Sequence, residues 1–529
     1  MNSACPHGDI PASVLKLCKF TLSLPLKLFW ERSFAVGIVP NFYKVQQIIP
    51  LHKKGPKTFA ENFRPVSLTS HIIKIFERVL REKLVFYFEQ NNILNHNQHG
   101  FRKKFSCQTQ LLSHINNILN HMTNDSDVDT IYIDYSKAFD KIDHRILIDK
   151  LKLYGLSEQY ITWIKDFLSH RKQYVYINNF KSYEVDVRSG VPQGSVLGPL
   201  LFIIYINDLA NNISNSSLLT FADDTKISFP INSVNDVKFL QNDLNTIINW
   251  SQDNNMTLNK NKFELICHRI KKDSASIELF KELPFNTVHY EYMADNGIFI
   301  SPSNFAKDLG VIINSNLNWN DHVTYLTKAG KRLASWLLSV FYSRDKYVML
   351  TLFNSLVRSK LEYCCPVWDP YKVTHINSIE QVQRTFTKRI QNMQDLDYWQ
   401  RIKCLNIMSL QRRREKLTII FVWKIKNNLV PNVVNLCFSR NIRNDRERAI
   451  LQPMPKCRGK TLTVYENSFV VKAAKLWNKL PNKLTNITSL SLFKSKLDQY
   501  LSLLPDLPPV SGYYHTTDNS ILSYRPADF

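Results

Sequence analysis

Residues 221–224 read Phe-Ala-Asp-Asp and set two adjacent carboxylates between two apolar runs. Leu218-Leu219-Thr220-Phe221-Ala222 has the composition of a strand entering the pair. Thr225-Lys226-Ile227-Ser228-Phe229 alternates polar and apolar residues and reads as a strand leaving it. The pair therefore falls at a hairpin tip. Two like charges side by side repel, and apolar flanks add a desolvation cost. Stability alone does not justify that arrangement; a divalent cation that neutralises both carboxylates does.

A second acidic site lies in Ile131-Tyr132-Ile133-Asp134-Tyr135-Ser136-Lys137-Ala138-Phe139-Asp140. Asp134 ends an apolar strand, at the carboxyl edge of a sheet. Alone, such an Asp is usually a turn-former. Beside a second strand ending in Asp223-Asp224, it supplies a third carboxylate. Three converging carboxylates suit two hard cations, and magnesium prefers oxygen ligands in octahedral geometry. Two such ions can activate an attacking hydroxyl and stabilise the leaving oxygen of an in-line displacement at phosphorus.

The bulk properties fit a polyanion partner. The 529-residue chain predicts two to four domains, and 44% hydrophobic content is a globular value. Its 68 basic against 45 acidic residues give +23, which points to nucleic acid before an acidic membrane. Residues 381–460 hold 18 Lys/Arg and 5 Asp/Glu, so +13 of that charge sits in one stretch. Gln411-Arg412-Arg413-Arg414 is its densest run and reads as a phosphate-contacting surface. The nine cysteines are scattered with no Cys-x-x-Cys pair, against a disulfide framework or zinc ribbon and in keeping with a reducing compartment. The apolar stretch from Val14 to Trp30 is broken by Lys16, Lys19, Pro25 and Lys27, so it predicts an amphipathic helix and no membrane span.

Periodicity predicts strands over 45–51, 130–133, 257–267 and 308–313, and a strand pair from 174–177 and 185–188. It predicts helices near 71–90, 144–153, 158–168, 198–209 and 237–250. Residues 61–68 read as a lead-in to the first of these helices. A mostly helical pattern follows from about 320, with candidates at 323–343, 345–362 and 376–393, and 505–529 reads as a disordered tail.

Strand-terminal Asp134 with Ala138-Phe139-Asp140, then Ser189-Gly190-Val191-Pro192-Gln193-Gly194-Ser195, then Phe221-Ala222-Asp223-Asp224 follow in order. Together they resemble motifs A, B and C of reverse transcriptases. Gly190 to Ser195 followed by Val196-Leu197-Gly198-Pro199 is similar to the non-LTR (LINE-type) retrotransposon enzymes, jockey-like in form. The resemblance covers roughly residues 8–340, with a weaker match at Lys475-Leu476-Trp477-Asn478-Lys479-Leu480-Pro481.

The resemblance implies an α+β right-hand polymerase: fingers over 1–125, a palm with an antiparallel sheet over 126–270, and a primer grip and helical thumb over 271–375. A basic helical C-terminal region over 376–504 and the tail complete it. It implies that Asp134 and Asp223 hold both of two magnesium ions (manganese being possible). The Tyr135 carbonyl would add a ligand, and Asp224 would complete the cluster. Phe139 matches the steric gate that rejects a 2′-hydroxyl, and Gln193 and Gly194 lie where a nucleotide or template approaches. Lys53, Lys54 and Arg64 match the cations that grip the triphosphate, for which Arg forks are suited. Arg102, in Gly100-Phe101-Arg102, matches a further finger motif expected to touch template or triphosphate. Lys262, with Lys260 as the close alternative, is the motif D candidate general acid for the pyrophosphate leaving group. Leu309-Gly310-Val311 with Leu317-Asn318-Trp319 and His322 resembles the primer grip.

His7-Gly8-Asp9-Ile10-Pro11 looks like a truncated first polymerase-associated motif, so an endonuclease is expected to act in trans. The expected partners are an RNA template, a DNA primer or target and dNTPs. The expected setting is intracellular, nucleus and cytoplasm, as a ribonucleoprotein. A non-catalytic nucleic-acid-binding remnant is the alternative. An intron maturase or telomerase is a third reading, disfavoured by the Phe-Ala-Asp-Asp and Leu-Gly-Val forms.

Overall fold

The computed structural model describes residues 6, 8–259, 262–270, 292–294, 298–441, 446–451, 455, 457, 459–506 and 519–523. Helix α1 (Lys19–Val36) stops at Gly37, whose φ of 74° gives the left-handed C-terminal turn that glycine adopts without penalty. Its Trp30 stacks on Phe76 at 4.6 Å. Strands β1 (Val45–His52) and β2 (Phe63–Leu68) pair antiparallel. β2 is therefore a strand and not a lead-in to a helix. It lies at the edge of its sheet, where the missing N–H of Pro65 breaks no ladder.

Ser70 caps α2 (His71–Gln90), accepting from the Ile72 N–H at 3.2 Å, and the stripe Ile73, Phe76, Leu80, Leu84 is buried. A Ser106–Thr109 capping box starts α3 (Cys107–Thr123). The central strand β3 (Asp127–Ile133) extends three residues further back than the apolar run. The reason is charge compensation: Asp129 is fully buried but bonds Arg269 at 2.6 Å and the Tyr292 hydroxyl at 2.8 Å. Helices α4 (His144–Leu153) and α5 (Glu158–Leu168) fall where periodicity placed them. Strand β4 (Arg171–Ile177) runs parallel to β1 and antiparallel to Val185–Val187.

Helix α6 (Gly198–Ile206) is apolar all round and accordingly buried at the centre. β5 (Ser217–Phe221) and β6 (Asp224–Ile231) form the expected hairpin, and α7 (Val234–Asp253) covers it. Strand β7 (Glu264–His268) is shorter than the run over 257–267. The palm sheet has the order β5-β6-β3-β7, antiparallel throughout. The stretch 308–313 is not one strand. Leu309 and Gly310, at φ 45° and 86°, turn it into a hairpin of β8 (Phe305–Asp308) and β9 (Val311–Asn314).

The remainder is mostly helical, with α8 (Asn320–Val340), α9 (Val373–Thr387), α10 (Tyr398–Cys404), α11 (Leu410–Lys426), α12 (Phe469–Asn478) and α13 (Leu490–Leu503), and carries an antiparallel strand pair, Phe438–Asn441 with Arg446–Ala449. One apolar core joins the Trp30–Ile300 stretch. A second runs from Val311 to Ile521 and takes in Leu111 to Met122 of α3. The second core takes in both Trp368 and Ile379, so it joins α8 to the helices that follow it.

Two expectations are corrected here. Arg412 and Arg414 are each 1% exposed, so the basic run is not a phosphate-contacting surface. Arg413 bonds Glu362, Arg414 bonds Asp369 at 2.6 Å, and Arg412 donates to the Pro505 carbonyl at 2.9 Å. Partners distant in sequence absorb the charge. The tail is also not wholly disordered. Asn519 and Ile521 are buried, and the Ile521 N–H donates to Glu415 Oε2 at 2.9 Å. Residues 507–518 and 524–529 lie outside the described residues.

Asp369 sits between Arg414 and Lys472, and these cations hold its carboxyl below the usual range despite burial. Asp369→Ala leaves two cations facing each other without a counter-charge. The expected cost is about 3–5 kcal/mol, read as a large drop in melting temperature.

Candidate active site

The register of the palm sheet builds the site. Ile133 pairs with Thr225, so Asp134, next after Ile133, lies beside the β5–β6 turn that carries Asp223 and Asp224. The carboxylates feel one another. Burial, then repulsion from Asp134, pushes the Asp223 carboxyl up, while Lys53 and Arg64 pull it down. Burial, then Asp223, Asp308 and Asp134, pushes Asp224 up to about 6, and Lys226 opposes them.

The turn is under backbone strain. Ala222 has a φ of 55°, a left-handed conformation that a residue with a Cβ adopts at some cost. The finger segment 97–100 holds it there. Gln98 Oε1 accepts from the Ala222 N–H at 2.9 Å and from the Gly100 N–H at 2.7 Å. The Asn97 carbonyl accepts from the Thr220 N–H, and the His99 N–H donates to the Thr220 carbonyl. A Cβ at Gly100 would stand 2.3 Å from the Ala222 nitrogen, so only glycine permits this approach.

The loop 189–195 is stitched to the turn after Asp134. Ser189 Oγ donates to the Asp140 carbonyl at 2.9 Å, the Val191 N–H to the Phe139 carbonyl at 2.9 Å, and Gln193 Nε2 to Asp140 Oδ1 at 2.9 Å. Phe139 is half-buried and stacks on Phe202 of α6 at 4.4 Å. Gly194 has φ 137°, and a Cβ there would meet the Ser67 carbonyl oxygen at 2.2 Å. Its close approach is therefore to strand β2 of the protein itself. Glu77, fully buried on α2, accepts from the Val196 and Leu197 N–H groups and fixes the start of α6.

Arg64 pairs with Leu51 near the end of the β1–β2 hairpin, the Lys53 N–H donates to the Asn62 carbonyl at 2.8 Å just beyond it, and Lys54 is exposed on the same turn. The Lys262 ammonium bonds Asp134 Oδ2. Lys260 lies outside the described residues. The Ser136 N–H donates to Thr257 and the Asn259 N–H to the Asp134 carbonyl. Tyr135 is the bridge residue between them, so its own carbonyl points away from 257–259, toward the β6 side.

Arg102 does not reach this group. It is 9% exposed and forks onto Glu89 at 2.9 and 3.0 Å, with a further bond to the Asn95 carbonyl at 2.7 Å. Its guanidinium holds the segment 95–102 in place, and contact with template or triphosphate is not its role in this structure.

Gln98, Glu77 and Lys226 had no role in the sequence reading. Lys226 is buried against Asp308 and Gln110 Oε1, two positions beyond Asp224 on the same strand face. Only the Gln98 and Gly100 spacing beside Arg102 was a visible signal. A buried amide acceptor has no pattern of its own.

Among the described residues, no three His, Cys, Asp or Glu side chains form a closed ligand cage. The donor chemistry nonetheless fits a hard cation: the charge of Asp134 helps push the Asp223 and Asp224 carboxyls up, and Asp134 already recruits an ammonium.

An antiparallel palm sheet with a strand-end Asp beside a hairpin-tip Asp pair, and a glycine loop bonded to the turn that follows the first Asp, defines a nucleotidyl-transfer polymerase fold. Residues 51–327 match the family "Reverse transcriptase (RNA-dependent DNA polymerase)", and the chain belongs to it. It is 28% identical over 401 residues to the "Probable RNA-directed DNA polymerase from transposon X-element" of Drosophila melanogaster, covering 74% of this chain and 42% of that protein. It is 26% identical to the polymerase of the mobile element jockey from the same organism, covering 69% and 39%. The chain thus spans about two fifths of the length of these relatives. Apo telomerase from Candida tropicalis aligns at 11% identity over 74% of this chain and 66% of that one, with a TM-score of 0.40.

Two outcomes are expected. A carboxyl whose pKa is raised by folding binds its proton more tightly in the folded state, so its stability contribution falls as pH rises from about 4 toward 6. Asp224→Asn should therefore melt about 1–3 °C higher than the parent above pH 7 without divalent cations, and the gap should close below about pH 4. Gln98→Leu strands the Ala222 and Gly100 N–H groups, at about 1–3 kcal/mol each. It should lower the rate of nucleotide addition at least about 10-fold. Gln98→Glu, which keeps an acceptor, should restore part of it.

Proposed function

We propose that the chain is an RNA-directed DNA polymerase that extends a primer 3′-hydroxyl with dNTPs during retrotransposon replication. The observation that carries the reading is the convergence of Asp134, Asp223 and Asp224, with Lys53 and Arg64 in electrostatic reach of Asp223. The reading assigns these elements to palm and fingers, and the β8–β9 hairpin and α8 to primer grip and thumb. Asp134 and Asp223, with the Tyr135 carbonyl and Asp224, would hold two magnesium ions, or manganese in their place. Such ions supply hydroxyl activation and stabilisation of the leaving oxygen.

The chain's own residues do the rest. Lys53, Lys54 and Arg64 neutralise the triphosphate, which carries about four negative charges. Phe139, braced on Phe202, stands as a rigid wall under the sugar and rejects a 2′-hydroxyl by shape. Gln193 and Gly194 keep the loop above it against β2 and Asp140. Lys262, bonded to Asp134 in this state, would be the acid that protonates the departing pyrophosphate. Catalysis of this kind depends on positioning and charge neutralisation.

The proposed partners are an RNA template and a DNA primer or target. The proposed setting is a nuclear and cytoplasmic ribonucleoprotein. No described helix is long and apolar enough to cross a membrane. Extension of oligo-dT on poly-rA with magnesium tests the reading. Asp134→Ala or Asp223→Ala should abolish extension while the melting temperature is held or raised; activity surviving either change refutes the metal assignment.

A further inference from the structure

Burial of the Arg412–Arg414 run leaves the local basic excess to be placed elsewhere. Four cations from the same stretch, Arg384, Lys388, Arg389 and Arg401, line one open cavity of about 510 Å³. It lies between the C-terminal end of α9 and helix α10. Asp397 is the single lining carboxylate, and its Oδ1 already accepts from the Gln400 N–H at 2.9 Å as the cap of α10.

The ordinary explanation for cations here is the helix end. Arg401 is 4% exposed and donates to the Leu396 carbonyl at 2.6 Å and the Arg384 carbonyl at 3.2 Å, capping α9. Its remaining acceptor, Thr387 Oγ1, is also neutral. A helix C-terminus offers only about half an elementary negative charge. With Asp397 added, well over two positive charges stay uncompensated. Among the described residues, no carboxylate forms an ion pair with any of the four. A polar concavity that gathers a buried guanidinium and three more cations around the single carboxylate of Asp397 is complementary to an anion.

We propose that this cavity binds the sugar–phosphate backbone of a nucleic-acid strand, at a second site separate from the strands and loops that carry Asp134, Asp223 and Gln193. Lys388 and Arg389 are exposed on its rim and carry the positive surface outward, as a continuous backbone requires and a single captured phosphate does not. The binding needs no catalysis, so it stands or falls apart from the polymerase reading.

The test measures binding of the full chain to labelled single-stranded RNA, and to DNA of the same sequence, without dNTPs or divalent cations. Salt is varied over about 50–200 mM. The cavity variant is Arg384→Gln/Lys388→Gln/Arg389→Gln, with Arg401 kept because it caps α9. A charge-matched control is Lys475→Gln/Lys483→Gln/Lys494→Gln, exposed elsewhere in the same half of the chain. Loss of three phosphate contacts should lower the slope of log K against log salt by about 2, at about 0.7 per contact on single strands. A Lys388→Gln/Arg389→Gln pair, confined to exposed side chains, should lower it by about 1.4 on the same basis. A fall for RNA, DNA or both that the control does not show supports the site and identifies the strand. An unchanged slope in both cavity variants, or an equal fall in the control, overturns it.

Discussion

The pairing of β3 with β6 is the constraint on which the rest depends. Ile133 opposite Thr225 brings one strand's terminal carboxylate to the tip of a neighbouring hairpin. A slip of one residue would turn Ile131 and Ile133, buried in the first core, to the opposite face. Burial of those side chains therefore specifies where the charge goes. The acidic cluster is unfavourable in itself, and the apolar register holds it together. Finger residues complete the restraint: Gln98 and Gly100 keep Ala222 in a backbone conformation it would not choose.

Charge in this chain divides into two kinds. Some is neutralised internally between segments far apart in sequence, as with Arg414 and Asp369, Lys226 and Asp308, or Arg102 and Glu89. The rest is only partly compensated, in two places. The acidic triad faces the exposed Lys53–Arg64 end of the fingers, and the basic cavity lies beside α9 and α10. Structural burial of the first kind changes what the second kind says. The net charge points to a polyanion, but the residues that contribute most visibly to it in sequence are core residues.

Helices with a clean apolar stripe were legible from the sequence, as α2, α4 and α5 fall at the expected bounds. Elements that depend on partners were not. β2 contains a proline and becomes a strand because it occupies an edge. The stretch 308–313 divides at Leu309-Gly310, where two left-handed residues make a turn. Of the site, Asp134 lies within electrostatic reach of Asp223 and Asp224, Lys53 and Arg64 within reach of Asp223, and Lys262 bonds Asp134. Arg102 has the right motif and a different occupation, because Glu89 lies one helix away and takes its guanidinium.

By itself the sequence determined the acidic hairpin, the order of the motifs, the α+β class and the excess of positive charge. Each is a local pattern, set by alternation, spacing or count. Tertiary structure alone decided which charges are spent inside the protein and which remain for a ligand. It also decided that Gln98 and Glu77, unremarked in the sequence, hold the two loops of the site. The physical reason is that a buried polar group must find a partner, and the partner is supplied by whichever distant segment the packing brings against it.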